Sequence, residues 1–182
     1  MPYNNPFIYS DDNKRYHTWN YYLKHHFHQK VCKVPLNANF SCPNRDGTCG
    51  VGGCTFCGSL GSGEFAGDIH KDLMQQFEDG KAMMHRKWPN AGLIAYFQAY
   101  TNTYAPVEYL RRIFTEAIEE PDVVALSIAT RCDCLPPDVL DLLDELNRRK
   151  PVWIELGLQT IHDKTLHAIR SGFALSQFEQ AV

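Results

Sequence analysis

Long apolar runs are missing from this chain. Its purely apolar stretches are a handful of residues each, well short of the ~20 needed to cross a bilayer as a helix, so no membrane partner is expected. The opening Met1-Pro2-Tyr3-Asn4-Asn5 has neither the basic segment nor the apolar core of a secretory leader, which predicts a cytoplasmic location. Charge of one sign is also lacking. With 18 Lys and Arg against 21 Asp and Glu the net charge is −3, which excludes a blanket polyanion binder. A disulfide framework is excluded as well: the cysteines are odd in number, clustered, and come without an export signal.

Cysteine itself is abundant. The chain has 182 residues, enough for one domain with a real core, and seven of them are thiols: Cys32, Cys42, Cys49, Cys54, Cys57, Cys132 and Cys134. In a reducing compartment that count points to metal binding.

Hydrophobic periodicity predicts alternating strands and helices. Asn13 to His28 reads as a helix with Tyr16, Trp19, Leu23 and Phe27 on one face. Val31 to Leu36 is a short apolar run leading into a cysteine loop. His70 to Trp88, Pro106 to Glu119 and Pro136 to Arg149 read as helices, with Pro106 at a favoured first-turn position. Between them Leu93 to Phe97, Val123 to Ala129 and Val152 to Leu158 read as strands. Asp163 to Ile169 is a short helix, and Ser176 is placed to cap another. Strands alternating with helices mean parallel βα units, arranged as a doubly wound sheet or as a barrel. Residues 1–30 are then an N-terminal extension and helix, and residues 31–182 the α/β domain.

Both architectures put ligands at the C-terminal ends of the strands. Polar residues gather there: Asn39 and Ser41 with Cys42, then Gln98, Thr101, Asn102 and Thr103, then Thr130 and Arg131, then Gln159 and Thr160. Glu155 sits inside an apolar strand, where an unpaired carboxylate is costly. By the two-residue strand period it shares a face with Gly157 and Gln159, as Ser127 does with Arg131. Such a face lines a polar lumen; a Glu155–Arg131 ion pair is the structural alternative.

The cysteine loop holds a CxxC pair, Cys54-Thr55-Phe56-Cys57, with Cys42 upstream. The glycine- and asparagine-rich turns between them let the loop fold back and gather thiolates. Spacing alone leaves three readings open. A zinc site would use Cys42, Cys49, Cys54 and Cys57. A three-cysteine iron–sulfur site would leave one iron free for a ligand. A redox dithiol would use the CxxC pair alone. Position favours the second, because the loop follows the first strand of a parallel βα domain, where a catalytic cofactor belongs.

These residues resemble the radical SAM superfamily, whose three-cysteine signature has an aromatic residue before the last cysteine, here Phe56. The long gap after Cys42, the Cys-Pro-Asn-Arg-Asp-Gly-Thr and Gly-Gly-Cys-Thr-Phe-Cys segments, Tyr96 to Thr103, and Glu155 to Thr160 resemble the YtqA/YhcC family of bacterial radical SAM proteins. The resemblance implies a partial (β/α) barrel of the radical SAM type, here about four βα units. It implies a 4Fe-4S cluster on Cys42, Cys54 and Cys57, with the fourth iron bound by the methionyl part of S-adenosylmethionine. Phe56 would pack near the adenine. Gln98, Thr101 and Asn102 would hold the methionyl group, and Ser127, Arg131, Glu155 and Gln159 would line the ribose and carboxylate region. One electron from a donor such as flavodoxin or ferredoxin would then release a 5′-deoxyadenosyl radical. Departures from the family pattern are the extra Cys49, Cys132 in place of a proline, and Arg170-Ser171-Gly172-Phe173 in place of Asn-Arg-Gly-His. The family's barrel also has more strands, so the last strand here would be an open edge capable of self-association.

The resemblance further implies transfer RNA as substrate, in modification of a wobble-uridine side chain from carboxymethylaminomethyl to aminomethyl. Residues 14–33 carry Lys14, Arg15, Lys24, Lys30, Lys33 and four histidines without an acid, interleaved with aromatics. That pattern suits phosphates and unpaired bases; an amphipathic helix packed on the barrel with a solvated basic face is the structural alternative, and its apolar stripe accounts for most of the aromatics. A non-enzymatic alternative is a zinc-stapled nucleic-acid-binding or adaptor domain.

Overall fold

A computed structural model of the chain describes residues 6–8, 10, 11 and 14–182. The expected start of the first helix at Asn13 lies outside the described residues. Helix α1 runs Trp19–Phe27, capped by Thr18, whose side chain accepts from the Tyr21 amide. It therefore begins later than the periodicity predicted, and Tyr16 lies outside it, 64% exposed. Then follow β1 (Val31–Leu36), α2 (Leu73–Lys87), β2 (Gly92–Phe97), α3 (Val107–Glu119), β3 (Val123–Thr130), α4 (Pro137–Asn147), β4 (Val152–Leu156), α5 (Asp163–Ala168) and α6 (Leu175–Ala181). Asp72 caps α2 by accepting from the Gln75 amide, which moves its start inward from His70. Pro106 precedes α3 rather than opening it. Strand β4 ends at Leu156, before Gly157 and Leu158. The N-cap of α6 is Ala174, whose amide donates to the Gln177 side chain, instead of Ser176.

The four strands are parallel and lie in sequence order, β1-β2-β3-β4. A doubly wound sheet needs an order that reverses at a switch point, so that alternative is corrected. Crossovers of one hand stepping in one direction put their helices on one face. Accordingly α2, α3 and α4 pack on the strands from one side. Phe77, Leu110, Phe114, Leu142 and Leu146 meet Val34, Leu36, Leu93, Phe97, Leu126 and Ile128 there in the main core. On the opposite face α1 lays Leu23, with Tyr22 and Phe27 beside it, over Val31, Ile94, Ala125 and Trp153. A third cluster joins Cys132 to Leu166 and Phe173 beneath α5 and α6. β1 and β4 are the edges of the sheet among the described residues.

Candidate functional site

The cysteine loop is folded by its own backbone. The Arg45 and Asp46 amides donate to the Cys42 carbonyl at 2.8 and 3.2 Å, and the Cys57 amide to the Cys54 carbonyl at 3.0 Å. An antiparallel bridge between Asp46 and Val51 turns the loop back on itself. Gly53 runs at φ +80°, and a β-carbon there would lie 2.9 Å from Arg45 Nε. Arg45 spans the loop, its Nη2 donating to the Cys57 carbonyl at 3.0 Å and to the Gly58 carbonyl. Asn44 is buried; its Nδ2 donates to Cys54 Sγ at 3.3 Å and to the Arg170 carbonyl at 2.6 Å.

Cys42, Cys54 and Cys57 line one cavity of about 230 Å³ with Phe56, Gln98, Thr101, Arg131, Glu155 and Gln159. Nine of the expected site residues thus meet, drawn from the loop and from the ends of β2, β3 and β4. Three of the connecting residues, Asn39, Tyr100 and Gln159, hold left-handed backbones at φ 58°, 63° and 68°. Such conformations cost energy in non-glycine residues and collect at functional sites. Gln98 Nε2 donates to the Ser62 carbonyl at 3.0 Å, and the Tyr100 hydroxyl to the Ser59 carbonyl at 2.7 Å, so the loop after Cys57 is tied to β2.

Two expected residues stand outside the cavity. Asn102 is fully buried and donates through Nδ2 to the Ala129 carbonyl at 2.8 Å, tying the exit of β2 to β3. Its Oδ1 is a buried acceptor without a partner among the described residues. Ser127 is also fully buried and donates to Glu155.

The expected Glu155–Arg131 alternative is corrected. Arg131 lies bidentate on Asp133 at 2.9 and 2.7 Å and donates to the Ser171 carbonyl at 2.7 Å. Burial is the strongest single influence and works to lower its pKa, but the bond to Asp133, that carboxylate's charge and the nearby Cys42 and Cys49 together outweigh it and hold the guanidinium above its ordinary value. Glu155 pairs instead with Lys33 of β1. Lys33 therefore leaves the basic patch proposed for residues 14–33 and enters the concave face. Its Nζ also lies 3.9 Å from the centre of the Tyr96 ring. Burial pushes the Glu155 carboxyl up, while bonds from Lys33 and Ser127 outweigh it and hold the carboxyl below its ordinary range. Burial, then Glu155, raise the Tyr96 phenol to about 12.

Lys33, Tyr96, Ser127 and Glu155 come one from each strand and form a diagonal belt. In a flat sheet β1 and β4 would lie about 14 Å apart, too far for two side chains rising from the same face. The contact closes because the sheet curls with this face inward. The parity argument that singled out Glu155 would also have found Lys33 and Tyr96, both inward members of otherwise apolar strands. Arg45 and Tyr100 carry no such signal, since loop geometry alone brings them in.

The remaining thiols lie elsewhere. Cys49 is exposed, 3.8 Å from Arg131 Nη2, and lines neighbouring cavities rather than this one. Burial raises its thiol and that of Cys54, where the Asn44 bond works in the opposite direction. Cys134 is buried and pushed up to about 12 by burial. Among the described residues no three His, Cys, Asp or Glu side chains gather around a point that would hold a single metal ion.

No family model matches the chain. It is 59% identical over 165 residues to the uncharacterized protein YtqA of Bacillus subtilis, covering 91% of this chain and 51% of that protein. It is 43% identical over 159 residues to YhcC of Escherichia coli, covering 87% and 50%. It is 33% identical over 168 residues to the uncharacterized protein MJ0486 of Methanocaldococcus jannaschii, covering 88% and 49%. The chain thus spans about half the length of these relatives. The superfamily resemblance is corrected accordingly: no family model supports it, and the relatives' names state no activity, so what stands is likeness to YtqA, YhcC and MJ0486.

Proposed function

We propose that the cavity holds a 4Fe-4S cluster on Cys42, Cys54 and Cys57 and binds S-adenosylmethionine beside it, in a partial (β/α) barrel. The observation that carries this reading is the shared cavity: three free thiols face the polar ends of three strands, and Cys49 does not share it. The donor set fits the group. Thiolates hold such clusters one per iron, so the ligands need not converge on a single point. A four-cysteine zinc site does require that convergence, with Cys49 included.

When bound, the cluster and S-adenosylmethionine supply, on one-electron reduction, methionine and a 5′-deoxyadenosyl radical that abstracts hydrogen from a substrate. The chain's own residues bind and exclude. Asn44 supports Cys54 through its amide, and Arg45 fixes the turn that carries Cys57. Phe56, half exposed at the rim, offers an apolar surface to a purine. Gln98, Thr101 and Gln159 offer amide and hydroxyl groups to the polar methionyl and ribose parts. The Tyr100 ring packs against Gly61 and covers one side, limiting water.

The substrate in this reading is transfer RNA modified at the wobble uridine, and the electron comes from flavodoxin or ferredoxin. Support for RNA is the outer face of α1, where Tyr21 stacks on His25 at 3.9 Å. The test of the central reaction is anaerobic reconstitution followed by dithionite and S-adenosylmethionine, with 5′-deoxyadenosine measured by chromatography. Wild type is expected to form it, Gln159→Ala to bind S-adenosylmethionine more weakly with its iron retained, and Cys57→Ala to form none. No 5′-deoxyadenosine from iron-loaded protein, in this chain and in full-length YtqA alike, contradicts the reading.

A further inference from the structure

A second cavity, of about 310 Å³, opens where the belt meets α1 at the edge of β1. Its wall is Trp19, Asn20 and Leu23 from α1 with Lys30, Val31 and Lys33 from the entry to β1. Two lysines and no acidic residue line it; Lys33 Nζ reaches the Glu155 carboxylate, and Lys30 Nζ lies 5.0 Å from the centre of the Trp88 ring. The Asn20 amide oxygen is already engaged, accepting from Lys30 Nζ at 2.8 Å. Lys33 carries three N–H donors, and the hydrogen bond described for it goes to Glu155. That carboxylate is in turn well supplied with donors, since Ser127 shares the same oxygen. What the cavity offers an incoming group is therefore the spare N–H donors of two lysines, the charge of Lys30 and the indole of Trp19, with the charge of Lys33 shared with Glu155.

We propose that this cavity is an oxyanion site in which Lys33, helped by Lys30, anchors a phosphate or carboxylate of the substrate. Lys33 stands level with Ile94 in the strand register, and Gln98 of the cysteine cavity lies four residues further along β2. At about 3.3 Å per residue that is roughly 13 Å. A ligand held here by its anionic end passes over Lys33, whose Nζ covers the Tyr96 ring, and presents its far end to the thiols. The substrate is thus an extended anion, of nucleotide size. This orientation rests on the function proposed above, while anion binding itself does not.

Cluster-free protein separates the two. The Trp19 indole N–H resonance is followed by NMR while sodium phosphate, or sodium acetate, replaces sodium chloride at constant ionic strength. A saturable shift with either anion is expected, and the anion that gives it identifies the source of the oxygen. Lys33→Met should weaken binding roughly tenfold or more, as loss of a charge-assisted hydrogen bond implies, and Lys33→Arg should keep it. Lys30→Met, outside the strand core, should weaken binding as well if Lys33→Met folds poorly. Glu155→Gln releases Lys33 and should tighten binding. Absence of a saturable shift with both anions, or wild-type affinity in both Lys33→Met and Lys30→Met, overturns the proposal. Anion binding without 5′-deoxyadenosine formation would leave this site standing and remove the radical chemistry instead.

Discussion

At Gly61 the backbone runs at φ +62°, and a β-carbon would lie 2.3 Å from Cδ1 of Tyr100. The ring cannot easily yield, because the Tyr100 amide donates to the Gly61 carbonyl at 2.9 Å and its hydroxyl to the Ser59 carbonyl. Gly61→Ala therefore combines left-handed strain with a clash and should destabilise the protein by about 2–4 kcal/mol. Gly47 has φ +96° but nothing within 4 Å, so Gly47→Ala should cost only about 1 kcal/mol of backbone strain. Urea denaturation of the two variants checks the difference; equal midpoints would show that the Tyr100 contact carries no weight. Spacing and turn chemistry made the cysteine loop legible as a thiol site but left Cys49 as a possible fourth member; the cavity shared by Cys42, Cys54 and Cys57 does not include it. The thiols' partners Asn44, Arg45 and Tyr100 were not legible, because a loop's tertiary contacts leave no periodic trace in sequence.

Among the elements, strand parity was the most informative signal. It placed Glu155 toward a lumen, where it now lines the cavity; Gln159 lines it too, but from beyond the end of β4 at φ 68°, where strand parity no longer applies. Parity could not name the partner of Glu155, because strand curl, a property of the sheet, brings β1 within reach of β4. Helix positions were legible from apolar period, while their starts shifted to the capping residues Thr18 and Asp72. The belt predicts a pH dependence. The Glu155 carboxyl is held below its ordinary value, so its contribution is fully present above the unfolded pKa of about 4.3. It is lost as pH falls through the folded value, since the unfolded chain then binds the proton more readily. Lys33→Met removes the main hydrogen bond that lowers this pKa. The variant should lose less stability than wild type between roughly pH 5 and 3, as thermal melts across that range would show. Parallel pH profiles would mean that solvent screening at this half-exposed pair leaves no net effect.

For the whole molecule, sequential parallel strands put three helices on one face and leave the other to α1, the belt and the cysteine loop. That α/β order was readable from the roughly thirty-residue spacing of strands; single winding followed only from the observed pairing. The basic surface changed most. Lys24 lies on Asp11 at 2.5 Å and Lys33 on Glu155, so fewer free charges face an RNA than the sequence suggested. Lys14 and Arg15 remain exposed in the segment that precedes α1. If transfer RNA is the substrate, Lys14→Gln with Arg15→Gln should flatten the salt dependence of binding by roughly one to two units of log–log slope. Filter binding across a salt series reads this directly, and an unchanged slope would remove Lys14 and Arg15 from the RNA contact.

The most direct measurement is iron content after anaerobic reconstitution, taken for wild type and for four single cysteine-to-alanine variants. The cavity shared by Cys42, Cys54 and Cys57 predicts a brown wild-type protein with about four irons per chain, as a 4Fe-4S cluster requires. Cys49→Ala should match it, whereas Cys42→Ala, Cys54→Ala and Cys57→Ala should each lose the cluster. A colourless protein holding one zinc, and losing it in Cys49→Ala, would contradict the reading.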